Sequence, residues 1–196
     1  MSEIVFFLEE ASAEALLSTM LPRFLPPLVG YRCLVFEGKQ DLEKQMVRRM
    51  RGYRVPGARF VVLRDQDASD CRTVKRALKR KCEEAHHPEA VVRIACRELE
   101  SWYLADLAAV ERALDKPGLQ SLQHKRHYRT PDAIVTPSRM LTRIAPAYQK
   151  VGGSRAIGPE LDLTNTRSRS FEHFVAAVRR LAADLQTAKK GRHGLQ

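Results

Sequence analysis

Residues 59–70 read RFVVLRDQDASD. Arg59–Leu63 is a short run of strand formers, too short for a helix of its own. Asp65, Asp67 and Asp70 follow it directly. After them, Asp70–Glu84 carries Val74, Leu78 and Cys82 at helical spacing, with basic residues on its other face. A buried strand that ends in acids and runs into an amphipathic helix is half of a βαβ unit.

The same arrangement recurs on both sides. Upstream, Ile4–Leu8 (IVFFL) ends in Glu9 and Glu10, and a helix is expected within Ser12–Phe24. Tyr31–Phe36 is another strand, and Asp41–Arg51 another helix. Downstream, Ala90–Cys96 (AVVRIAC) leads into Glu98 and Glu100, and Trp102–Leu114 reads as a helix. Four apolar strands alternating with helices predict an α/β fold with a mainly parallel sheet and helices on both faces. Such sheets place ligands at the carboxyl ends of their strands.

The second half is less regular. Residues 116–137 hold Gly118 and three prolines and read as a long insertion with short helices. Ser138–Ala147 reads as a helix, 151–169 as loop and Phe171–Leu185 as a helix with one apolar face. We expect one domain over 1–188, with 1–114 as the α/β core and 115–188 packed on it. The polar tail 189–196 is expected to be unstructured.

The chain has 196 residues, 44% hydrophobic and 29% charged. No apolar run approaches the length of a membrane span. The N-terminus has an acid at position 3 and no basic region, so it does not read as a secretion signal. The four cysteines form no CxxC pair, and a reduced, cytoplasmic protein is expected. Cys33 and Cys96 lie in apolar runs and read as buried. Lys and Arg number 34 against 23 Asp and Glu, a net charge of +11. That excess favours a polyanionic partner, most simply nucleic acid. There is no GxSxG and no GxxxxGK[ST], so neither a serine hydrolase nor a P-loop ATPase is supported.

If the strands are parallel, Glu9, Glu10, Asp65, Asp67, Glu98 and Glu100 project from one sheet edge. Residues two apart on an extended segment share a face, so Asp65 and Asp67 point at one spot. Asp-x-Asp alone is a weak motif, and Asp70 reads simply as the cap of the helix behind it. Acids at three equivalent strand ends are harder to assign to capping. Converging carboxylates in a basic protein call for a cation, and Mg²⁺ accepts a few of them while keeping sites for water and phosphate.

A strand ending in Glu, then a helix, then a later strand ending in Asp-x-Asp resembles the Toprim fold. Topoisomerases, bacterial primases and nucleases of the overcoming-lysogenization-defect group share it. FFLEEASAEALL, VVLRDQDASDC, RELESWYLAD, AYQKVGGSRAI and NTRSRSFEHF together resemble a small Toprim-like family, long labelled a domain of unknown function. It includes the Toprim effector of the PARIS anti-phage defence system, which works beside an ABC-type ATPase. The resemblance spans about Ile4 to Leu185.

The resemblance implies a Toprim-type endonuclease using Mg²⁺ or Mn²⁺, a toxic effector held in check by a partner ATPase. It assigns Glu9 as metal ligand and general acid/base, Asp65 and Asp67 as the metal-binding pair and Glu100 as support for a second ion. Toprim proteins often have Gly after the first Glu, and here Glu10 stands there, so Glu10 is carried as an alternative ligand. Lys150 is a candidate contact for the scissile phosphate. The defence member is linked to transfer RNA, although nothing in this sequence selects RNA over DNA. A homodimer is compatible with the resemblance.

Basic residues supply candidate strand contacts: Arg72, Lys75 and Lys79 behind the Asp-x-Asp, and Lys125, Arg126, Arg129 and Arg143 further on. His124, His127, Tyr128 and Tyr148 lie among the latter, and aromatic rings there are expected to stack on bases. Trp102 reads as core packing. A receiver domain would need Ser or Thr after the fourth strand, where RELES stands. A haloacid-dehalogenase phosphatase would carry its Asp-x-Asp on the first strand. A topoisomerase or primase would need parts this chain lacks. The competing reading is a non-catalytic basic adaptor that binds an ATPase or nucleic acid and keeps a vestigial metal site.

Overall fold

The computed structural model of the chain describes residues 3–193. Four strands form the sheet: β1 (Glu3–Leu8), β2 (Gly30–Val35), β3 (Arg59–Asp65) and β4 (Val91–Ala95). Their order is β2-β1-β3-β4, and every pairing is parallel. The fold class expected from the strand–helix alternation is therefore the one observed. The interior strands β1 and β3 are buried on both faces, which is why they read as unbroken apolar runs.

Helices α1 (Ala11–Met20), α2 (Lys39–Arg51) and α3 (Cys71–Glu84) follow the first three strands. Val5, Phe7, Phe60, Val62 and Val92 face α2 and α3, packing on Leu42, Met46 and Leu78. Ile4, Phe6, Leu8, Val61, Leu63 and Ala95 face the other way, toward α1 and the C-terminal half. This period-two split is the strand alternation written into two cores.

The C-terminal half supplies α4 (Glu100–Leu104), α5 (Leu107–Leu114), α6 (Leu119–Leu122), α7 (Pro137–Ile144), α8 (Lys150–Ile157) and α9 (Arg169–His193). The helix expected over Trp102–Leu114 is two helices. The chain breaks at Asp106, whose carboxylate caps α5 by accepting the Ala109 N–H at 3.1 Å. Trp102 is core, as expected. It is 1% exposed, packs on Phe171 and Phe174 of α9 and donates Nε1–H to Ser170 Oγ at 2.8 Å.

The segment read as loop over 151–169 contains α8, which corrects that expectation. Adjacent Gly152 and Gly153 lower helix propensity, but close packing needs a glycine here. A Cβ on Gly153 would run into the Tyr148 ring, and one on Gly158 into Thr19 and the Leu16 carbonyl of α1. Arg23 fastens the end of α8 by donating to the carbonyls of Gly158 and Leu161 at 3.1 and 2.7 Å. Helix α9 runs to His193, past the expected end at Leu185 and into the segment expected to be unstructured, of which 194–196 lie outside the described residues. Cys33 and Cys96 are only partly buried, which corrects their expected full burial. Burial still pushes their thiols up, to about 12 and about 11. No helix among the described residues is long and apolar enough to cross a membrane.

Candidate active site

The register of the sheet builds the site. Leu8 pairs with Leu63, and Asp65 with Ala95, so β1, β3 and β4 end at nearly the same level. Glu9 and Glu10 continue β1, Asp65 closes β3, and Glu100 opens α4 just after β4. Lys150, the first residue of α8, comes in from the C-terminal half.

Glu9 lies at the junction. Its Oε2 accepts the Asp65 backbone N–H at 3.2 Å and stands 3.7 Å from Arg64 Nε. Arg64 is 6% exposed and also donates from Nη1 to Glu43 of α2 at 2.7 Å. Burial raises the Glu9 carboxyl above its ordinary range, the Asp65 N–H pulls it down, and the Asp67 charge pushes it up again.

Asp65 is raised well above the ordinary carboxylate range, first by burial and then by Glu100, Glu10 and Glu9, with Lys150 opposing them. Its carboxylate accepts no hydrogen bond among the described residues. Glu100 is 1% exposed and is likewise raised, first by burial. Tyr148 donates its hydroxyl to Glu100 Oε1 at 3.1 Å, whereas Glu100 Oε2 is buried with no partner among the described residues. Glu10 is held by Lys150, whose Nζ donates to both carboxylate oxygens at 2.9 and 2.7 Å. Burial works against the Lys150 charge, but Glu10, Glu100 and Asp65 outweigh it and raise its pKa.

The structure thus brings Glu9, Glu10, Asp65, Glu100 and Lys150 within electrostatic reach of one another. It does not turn Asp65 and Asp67 to one spot. The chain leaves extended geometry after Asp65, and Asp67 takes φ 57°, in the left-handed region. Its carboxylate therefore meets Lys39 of α2, at 2.8 Å. Glu9 is the residue that senses both aspartates. Arg97 is also left-handed, at φ 64°, and its carbonyl accepts the Asp67 N–H at 2.8 Å. Two strained residues bonded across neighbouring loops fit a functional edge.

Glu98 adds to the rise of Glu100 but is spent on capping α7, accepting the Ser138 N–H at 2.7 Å. Asp70 caps α3 through the Thr73 N–H at 2.8 Å, as expected. Lys79 spends its ammonium on the Pro88 and Ala90 carbonyls at 2.8 and 2.9 Å, so it secures the start of β4. Arg72, Lys75, Lys125, Arg126, Arg129 and Arg143 are exposed. Tyr128 and Tyr148 are each 5% exposed, which overturns the expectation that they stack on bases. The sequence reasoning passed over Arg64, Lys39 and Tyr148. Arg64 had a signal, a charge at a core-facing position of an apolar strand.

The donor set fits a hard divalent cation. Two carboxyls are raised by burial and by neighbouring acids, one buried carboxylate oxygen is orphaned among the described residues, and hard cations take oxygen ligands. Among the described residues, no three His, Cys, Asp or Glu side chains are already grouped to hold an ion.

The fold is similar to that of the C-terminal region of the Burkholderia pseudomallei OLD protein. The TM-score is 0.57 at 14% identity, covering 91% of this chain and 98% of that one. At that identity the likeness is one of fold, the Toprim-like fold. No curated protein matches this sequence. Residues 8–179 match the model of the family described as Domain of unknown function (DUF4276), and the chain belongs to that family.

Proposed function

We propose that the chain is a metal-dependent endonuclease that hydrolyses nucleic-acid phosphodiesters at the carboxyl edge of its sheet. One observation carries the reading: half-buried Asp65 and buried Glu100 are both raised by desolvation and opposed by Lys150, and Asp65 is also crowded by Glu100, Glu10 and Glu9. Burying several acids together is costly unless a cation joins them. The Toprim-like fold adds support, because acids in these strand-end positions resemble its metal-binding set.

In this reading Glu9, Asp65 and Glu100 would hold Mg²⁺ or Mn²⁺, with Glu10 and Asp67, now paired to Lys150 and Lys39, as further candidate ligands. The bound ion would polarise the phosphodiester and lower the pKa of an attacking water. The chain's own residues do the rest. Glu9, raised by burial and steadied by the Asp65 N–H and Arg64, accepts and returns a proton. Lys150, freed from Glu10, meets the charge on the scissile phosphate. Arg72, Lys75, Lys125, Arg126, Arg129 and Arg143 hold the strand through its phosphates. The biological setting that fits is a cytoplasmic toxic effector of an anti-phage defence system of the PARIS type, restrained by an ABC-type ATPase, with transfer RNA as a substrate.

The test is cleavage of total RNA and plasmid DNA by purified protein in Mn²⁺, Mg²⁺ or EDTA, beside an Asp65→Ala, Asp67→Ala double variant. Metal-dependent cutting lost in the variant is the expected result. No cutting and no metal binding by calorimetry would favour the basic adaptor with a vestigial site.

A further inference from the structure

A cavity of about 330 Å³ opens at the free edge of the sheet, beside β4 and between α3 and α9. Its floor is apolar, with Val92 and Ile94, and its rim is cationic. Arg72 and Lys75 come from α3, Arg93 from β4 and Arg169 from α9. Among the described residues no carboxylate lines it. Among the described residues none of these four cations has an ion-pair partner. Asp132, whose charge reaches Cys96 in the wall, is committed to Ser168 and to the Ser170 N–H at 2.6 and 2.9 Å.

Protection of an edge strand explains part of this. Lys79 and Arg93 cover the carbonyls of Ala90 and Val92, which blunts pairing with another strand. It does not explain four cations from three elements around one cavity. Arg93 is partly desolvated, which lowers its pKa, and Arg180 adds repulsion rather than neutralisation. Its Nε and Nη1 are taken by the His173 and Val92 carbonyls, which leaves Nη2 for a ligand. An anion at the rim would relieve that repulsion, and the exposed guanidiniums of Arg72 and Arg169, which make no hydrogen bond among the described residues, offer the forks that suit a phosphate.

We propose that this cavity is a phosphate-binding subsite that grips a phosphodiester of the strand one or two linkages away from the one at the acidic centre. This rests on the nuclease reading. The location favours a strand over a free phosphate compound. Asp65 pairs with Ala95, Cys96 lines the cavity, and Arg72 and Lys75 sit on the helix behind the Asp-x-Asp. The cavity is thus about two strand spacings, roughly 10 Å, from Asp65.

The test is binding of a fluorescent single-stranded 12-nucleotide RNA and its DNA counterpart, followed by anisotropy in EDTA across a salt series. An Arg93→Gln, Arg169→Gln variant is compared with wild type. An Arg72→Gln, Arg169→Gln variant, altered only at exposed positions, guards against misfolding. An Arg48→Gln, Arg49→Gln variant matches the charge change on α2, away from the cavity. Each cavity variant is expected to weaken binding about tenfold. The slope of log K on log salt should fall by about 0.7 per lost phosphate contact, with the α2 variant near wild type. Equal binding by wild type and both cavity variants would overturn the subsite and leave the nuclease reading standing on its cleavage assay. Wild type that binds pyrophosphate, seen in the Arg93 Nε–H resonance, but no oligonucleotide would overturn the strand as the source. Binding of neither would overturn the subsite altogether.

Discussion

Lys150 grips Glu10 by both carboxylate oxygens, at 2.9 and 2.7 Å, and so ties the start of α8 to the end of β1. The pair sits where the sheet's acids gather, and the ammonium opposes the rise of both Asp65 and Glu100. It does there, in part, what a divalent ion would do.

Lys150→Ala should therefore separate two roles. Removing the ammonium frees Glu10 and leaves the buried acids less compensated, so Mn²⁺ should bind several-fold more tightly by calorimetry. A half-exposed pair is worth at most about 1 kcal/mol, which caps the gain near fivefold. Cleavage should fall, because the phosphate loses its cation. Unchanged metal affinity would show that the latch does not compete with the ion.

The raised carboxyls of Asp65, Glu9 and Glu100 carry a sign for stability. Well below about pH 4 they are protonated in folded and unfolded chains alike, and the fold bears no charge penalty. As pH rises past the ordinary carboxylate range, the unfolded chain ionises first and the metal-free fold loses stability. In EDTA at pH 7.5, Asp65→Asn should raise Tm by roughly 2–6 °C. The difference should shrink toward pH 4, and Mg²⁺ should stabilise wild type more than the variant. Thermal melts across pH check this, and a variant no more stable than wild type at pH 7.5 refutes it.

The parallel sheet was legible because IVFFL and RFVVL each bury both faces, while the edge strand β4 is only partly buried at Val91 and Arg93. Their level ends made Glu9, Asp65 and Glu100 legible too. The rest depended on partners far away in sequence. Asp67 parts from Asp65 because one residue takes a positive φ and Lys39 waits 28 positions upstream. Period-two logic stops where the strand stops. Tyr148 looked like a surface aromatic among basic residues, yet it is the buried donor to Glu100. Helix α8 was hidden by Gly152 and Gly153, although Gly153 packs against the Tyr148 ring and Gly158, just past the helix, against α1.

Those glycines predict opposite signs at near neighbours. Gly158→Ala drives a Cβ into Thr19 and the Leu16 carbonyl, and overpacking of this kind costs about 1–3 kcal/mol. Gly152→Ala meets nothing within 4 Å in the same helix and should stabilise by about 0.5–1 kcal/mol. Urea unfolding of the two variants measures both. Gly158→Ala should also slow cleavage, since α8 carries Lys150 at its first position.

Asp67 and Lys39 give the last test, on the opposite flank of Glu9. Their bond is 2.8 Å long, but the side chains are 34% and 46% exposed, so solvent screens most of its worth. The Lys39 ammonium is raised, first by that hydrogen bond and then by the Asp67 charge, so it stays charged throughout the neutral range. If Asp67 joins the ion with Glu9, each binding event must displace Lys39. Lys39→Ala removes that competitor and should lower the Mn²⁺ concentration for half-maximal cleavage two- to fivefold, the span that about 0.4–1 kcal/mol allows. The maximal rate should change little, because Lys39 is not in contact with Asp65. A large fall in maximal rate at unchanged Mn²⁺ requirement would instead make Lys39 a phosphate contact and leave Asp67 outside the metal set.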